Sequence, residues 1–168
     1  MSSAVFIVLS LSLFLDLFLR SHGIAAVFTP FCIFYYTAVL NWKTGLAMAL
    51  ITAVPAAVFA GCVWPSELIT YPAVAGLSLW NQHKSGPSEP TFRWHLLCGA
   101  LIPLLVFGPK ALTSSSDTLF AFLIWLLPLC TFSAVLLPCT LFLLDFFAEK
   151  LGLTRYADAA RKREHPPL

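Results

Sequence analysis

The sequence predicts an all-α membrane protein, a bundle of six transmembrane helices with proline kinks and both termini cytoplasmic. Three observations predict it. The 168 residues are 59% hydrophobic and only 11% charged, with a mean hydropathy of +0.85. A soluble domain, in which about a quarter of residues are charged, could not hide so much apolar surface. The charges cluster between long uncharged runs and again in the tail from Lys150 to Glu164. Six apolar runs of helical character are separated by short polar turns.

The first run, Ala4–Leu19, closes on Arg20-Ser21-His22-Gly23. It has no basic segment before it, and "SHG" is a poor small-residue cleavage site, so it reads as a retained span rather than a signal peptide. Ile24–Leu40 is the second run and ends at Asn41-Trp42-Lys43. Gly45–Val63 is the third, closed by Trp64-Pro65-Ser66-Glu67. Leu68–Trp80 is short for a span and is expected to be weak or partly surface-lying. The segment 81–93 contains "HKSGPSEP", a loop by its Gly and Pro content. Trp94–Phe107 follows, with an apolar continuation to Leu112. "TSSSD" at 113–117 reads as a loop that supplies an N-cap for the last run, Thr118–Phe147. That run is long for a hydrocarbon core of about 30 Å. Tilt, a kink at Pro128 or Pro138, or a start at the membrane surface would absorb the excess. The chain divides into a transmembrane domain, 1–148, and a basic cytoplasmic tail, 149–168.

Basic residues set the orientation. With the N-terminus inside, the cytoplasmic segments hold Lys43, Lys84, Arg93, Lys150, Arg155, Arg161, Lys162 and Arg163, and the outer segments hold only Arg20 and Lys110. This obeys the positive-inside rule. Trp42, Trp64, Trp80 and Trp94 stand at predicted span ends, where an amphipathic ring prefers to sit, and Trp125 lies inside the sixth run.

Chemistry inside a membrane needs ionisable groups at depth. Only Asp16 and Asp145 lie within apolar runs. Asp16 precedes Arg20 by four residues and shares its helix face, and Asp145 shares a face with Glu149. Each falls about one turn from a predicted interface, so both read as helix-end carboxylates, solvated or paired. Predicted on opposite membrane faces, they cannot form a dyad. The five cysteines (Cys32, Cys62, Cys98, Cys130, Cys139) make no CxxC pair and read as small apolar filler, and His22, His83, His95 and His165 fall in or beside loops. No GxSxG, HExxH or glycine-rich phosphate loop occurs. The expectation is no catalytic, cofactor-binding or metal-binding residue, no enzyme and no nucleic-acid partner.

Prolines carry more information. Pro30, Pro55, Pro72, Pro103, Pro128 and Pro138 lie inside or at the start of spans, with Thr29, Thr52, Thr70 and Thr140 near several of them. An interior proline frees a carbonyl that neighbouring helices or polar side chains must satisfy. The small residues of "GLAMALITAVPAAVFAG" suit close helix packing.

Two stretches carry a family resemblance. "TPFCIFYYTAVLNWKTGLAMALITA" (29–53) joins a proline-bearing helix, an aromatic pair, a polar turn and a small-residue helix. "LLPCTLFLLDFFAEKLGL" (136–153) puts a proline before a hydrophobic run and a charged exit. Together with size and span number, they resemble the bacterial rod shape-determining protein MreD family. Many members have an acidic residue late in the third helix, where this chain reads "TAVPAAVFAG". The resemblance implies a non-enzymatic scaffold of the bacterial inner (cytoplasmic) membrane. Such a scaffold would bind the single-span protein MreC and organise the peptidoglycan synthase and transpeptidase for cell elongation. A different class fits the same layout: the membrane-embedded substrate-binding component of an energy-coupling-factor transporter. It would need a ligand cavity lined by polar residues such as Tyr35, Tyr36, Asn41 and Asn81.

Overall fold

The computed structural model describes residues 2–60, 65–84, 91–112, 116–150 and Tyr156. The expected turns around 61–64, 85–90 and 113–115, Cys62, Trp64, His165 and, beyond Lys150, the basic tail apart from Tyr156 lie outside the described residues. The described residues form six helices and no strand: α1 (Ser2–Ser21), α2 (Phe28–Val39), α3 (Trp42–Ala60), α4 (Glu67–Lys84), α5 (Thr91–Leu112) and α6 (Ser116–Lys150).

The helices sort into two kinds. Segments of α1, α3, α5 and α6 are long and apolar enough to cross a membrane. Their outward faces carry large apolar side chains, among them Phe6 at 64% exposure, Phe59 at 72% and Phe142 at 77%. A water-facing surface does not collect such groups, whereas a hydrocarbon solvent accepts them. The other two helices are central. Ten residues of the twelve-residue α2, Thr29 to Ala38, are buried. In α4, Tyr71, Val74, Ser78 and Asn81 are fully buried. As expected of a weak span, α4 is not among the helices apolar enough to cross a membrane, yet one face of it is packed inside the bundle. It reads as less apolar because neighbouring helices, not lipid, cover much of it.

Helix ends follow from local chemistry. Gly23, at φ +75°, ends α1 in a conformation that only glycine adopts without strain. Ile24 N–H reaches the Leu19 carbonyl at 2.9 Å and Gly23 N–H reaches that of Arg20 at 3.0 Å, the paired bonds of a Schellman turn. The chain then stays non-helical to Val27, so α2 starts four residues later than its hydropathy predicts. Pro30 falls in its first turn, where a missing N–H costs nothing. α6 runs unbroken for 35 residues through Pro128 and Pro138. The threonines do not reach the carbonyls that the prolines free. Thr52 Oγ1 bonds the Met48 and Ala49 carbonyls and Thr140 Oγ1 bonds that of Leu136, each within its own helix.

Two glycines set close helix contacts. A Cβ on Gly45 would stand 2.7 Å from the Thr37 Cα, and one on Gly99 would stand 2.7 Å from the Ser133 carbonyl oxygen and 2.8 Å from the Ala134 Cα. Both obstacles are backbone atoms, so relief requires moving a helix. A Cβ on Gly76 meets nothing within 4 Å. Gly99→Ala and Gly45→Ala should each destabilise the bundle by about 1–3 kcal/mol in detergent unfolding titrations. Gly76→Ala should be neutral or slightly stabilising; equal effects at all three positions would contradict this packing.

Candidate functional site: two polar clusters at the ends of the bundle

The bundle carries one polar cluster at each end. At the first end, the Asp16 carboxylate of α1 accepts the Phe28 N–H at 3.0 Å on Oδ1 and the Thr29 N–H at 2.8 Å on Oδ2. These are first-turn amides of α2, which no intrahelical carbonyl can serve. A carboxylate also suits the positive pole of a helix N-terminus. Asp16 is 1% exposed. Asp16 is thus paired, one of the two states expected for a helix-end carboxylate, and its hydrogen-bond partners are the α2 amides rather than Arg20. Arg20 turns instead toward Glu67, also 1% exposed, with Nη1 3.6 Å from Oε1. Lys110 of α5 donates to the same Oε1 at 2.7 Å. One acid of α4 thus holds cations from α1 and α5. The Arg20 guanidinium also lies over the Phe107 ring at 5.7 Å.

At the opposite end, Tyr35 of α2 donates its hydroxyl to Asp145 Oδ1 of α6 at 2.7 Å. Tyr156, beyond α6, donates its backbone N–H to the same oxygen at 2.6 Å. The Tyr156 hydroxyl accepts from Asn81 Nδ2 of α4 at 2.9 Å and bonds His95 Nε2 of α5 at 3.0 Å. Its ring stacks against Tyr35, centroids 6.2 Å apart, and meets the His95 ring edge-on at 5.4 Å. Trp80 and Trp94 close the same end with an edge contact at 5.3 Å. Asp145 is paired, one of the two states expected for a helix-end carboxylate. His95 is a bonding partner within the cluster and not only a loop-side residue.

Between the ends, Ser78 Oγ of α4 donates to the Phe34 carbonyl of α2 at 2.7 Å. So α2 is fastened by α1 at its start, by α4 along its length and by α6 near its end. Of the polar residues expected around a ligand cavity, Tyr35 and Asn81 come together through Tyr156, and Asn41 is exposed. Sequence reasoning missed Glu67 and Tyr156. Glu67 looked like a loop acid, and its one signal was that Arg20 and Lys110 were the sole basic residues assigned to its side. Among the described residues no group of three or more His, Cys, Asp and Glu side chains comes together.

No family model, curated protein or solved structure matches the chain. The fold and its clusters define a class: the described residues are all helical, with four helices long and apolar enough to span a membrane, and their apolar exterior suits a membrane-embedded molecule.

Glu67→Ala should destabilise the protein by on the order of 3 kcal/mol, because two cations lose their shared counter-charge. Lys110→Ala should cost less, since Arg20 remains on Glu67. Unfolding titrations in detergent micelles would show this order, and the reverse order would contradict the assignment of Glu67 as the hub.

Proposed function

We propose that the protein is a non-enzymatic, six-span scaffold of the bacterial inner membrane, acting in cell elongation in the manner of the MreD family. Both termini would be cytoplasmic, so that the Asp145 end faces inward and the Arg20 end outward. One observation carries the scaffold reading: the buried polar groups tie one helix to another. Asp16 joins α1 to α2, Glu67 joins α4 to α1 and α5, and Asp145 joins α6 to α2 and Tyr156. Such ties fix a shape, and a fixed shape is what a partner-organising protein offers. The orientation draws support from the same cluster. Arg20 and Lys110, the two basic residues assigned outside, both sit on Glu67, which lowers the cost of placing them there.

The partners would be an MreC-like single-span protein and, through it, the peptidoglycan synthase and transpeptidase. The transporter reading rests on a different observation. An apolar groove of about 440 Å³ runs between α1 and α3, lined by Phe6, Leu9, Leu13, Met48, Ile51 and Pro55 among others. Its volume lies within the range of small-molecule sites. Its apolar lining departs from the polar cavity expected for such a component.

Affinity purification from native membranes separates the two readings. The scaffold should co-purify with a coiled-coil, single-span protein whose bulk lies outside the membrane. Recovery of ATPase subunits in its place would sink the scaffold reading and favour the transporter component.

A further inference from the structure

Unpartnered polar atoms gather at the Glu67 end of the bundle. Among the described residues, eight buried side-chain nitrogens and oxygens have no hydrogen-bond partner. Five of them lie there: Arg20 Nε and Nη2, Thr29 Oγ1, Thr70 Oγ1 and the Tyr71 hydroxyl. Such atoms are few in folded proteins, and each is a strong claim on a partner.

Arg20 is the centre of the group. Its Nη1 lies 3.6 Å from Glu67 Oε1, an ion-pair distance longer than a hydrogen bond. Nε and Nη2 form the side edge of the guanidinium, a pair of parallel donors that fits two oxygens of one anion. The nearby carboxylates do not fill this fork. The Asp16 oxygens are held by the α2 amides, and Glu67 is bonded by Lys110 at 2.7 Å. Glu67, Thr70 and Tyr71 stand at i, i+3 and i+4 on one face of α4. The acid that faces Arg20 thus brings two unpartnered hydroxyls to the same side. Tyr71 is fully buried, and the charges acting on its hydroxyl are those of Arg20, Asp16 and Glu67.

Position selects the anion. The apolar segments Ser3–Ser21 and Phe92–Lys110 both end at this cluster. Each has 19 residues, about 28 Å of helix, close to the thickness of a hydrocarbon core. Lipid headgroups lie at the ends of such segments, and basic pockets between helices take their phosphates. We propose that the Nε–Nη2 edge of Arg20, with the Tyr71 and Thr70 hydroxyls beside it, is a binding site for a phosphate oxyanion, supplied at this depth by a phospholipid headgroup. The fork atoms are closed to solvent, so a shift of the Arg20 side chain, itself 18% exposed, admits the anion. Glu67 stays with Lys110, so the phosphate neutralises Arg20 without leaving a buried carboxylate unpaired. This inference rests on a membrane-embedded bundle and not on the partner it serves, so it can fail while the scaffold reading stands.

The test uses the full chain in detergent. Phosphatidylglycerol should raise the thermal midpoint by a few degrees, and diacylglycerol with the same acyl chains by clearly less. Millimolar inorganic phosphate identifies the source: a matching shift assigns the site to free phosphate as well, and no shift assigns it to the headgroup. Tyr71→Phe removes an unpartnered hydroxyl, so it should leave the lipid-free midpoint unchanged or higher and reduce the phosphatidylglycerol shift. Arg20→Lys keeps the charge but loses the fork, and should lose most of the shift. The proposal is overturned if neither phosphate compound exceeds diacylglycerol, or if the shift survives undiminished in either variant.

Discussion

The structure depends on a helix that is too short. At 1.5 Å per residue, the twelve residues of α2 span about 18 Å, well under a hydrocarbon core of about 30 Å. Its first amides therefore open inside the protein, where water cannot serve them. Asp16 meets this constraint with two hydrogen bonds from one carboxylate. A charged group becomes tolerable at 1% exposure because two amides and a helix pole face it. The geometry of α1 follows, since the Gly23 turn must bring α2 back beside the helix that caps it.

The rest of the bundle extends this solution. A short helix surrounded by longer ones leaves space at both of its ends, and side chains fill that space with polar contacts. Glu67, Arg20 and Lys110 gather at one end; Tyr35, Asp145, Asn81, His95 and Tyr156 gather at the other. Apolar packing alone gives weak specificity in hydrocarbon, because lipid tails are as apolar as leucine. Directional bonds at both ends, and the close approaches at Gly45 and Gly99, distinguish one arrangement of helices from its alternatives.

Helix type and number were legible in the sequence, because apolar runs broken by polar turns are a direct imprint of a nonpolar solvent. The depth of each helix was not. Hydropathy marks how apolar a helix is, not whether lipid or protein covers it, so the weak apolar character of α4 gave no sign that it is central. The same limit explains Asp16. Spacing put Arg20 on its face, but a helix N-terminus folded back beside it offers two aligned amides, and nothing local in the sequence announces that contact. Asp145 was read as a helix-end carboxylate, and it is one. Its partners Tyr35 and Tyr156 lie 110 and 11 residues away, and the longer of those separations leaves no trace in local pattern.

The central claim is that the Asp16 carboxylate sustains the short α2. Unfolding titrations of Asp16→Ala and Asp16→Asn in detergent micelles test it most directly. Asparagine keeps one acceptor oxygen and presents an amide where the second is needed. Alanine keeps neither, and two hydrogen bonds to a charged group are lost, together about 3–6 kcal/mol. The predicted order of stability is the unsubstituted protein, then Asp16→Asn, then Asp16→Ala. An Asp16→Ala protein as stable as the unsubstituted one, or more stable, would contradict the account.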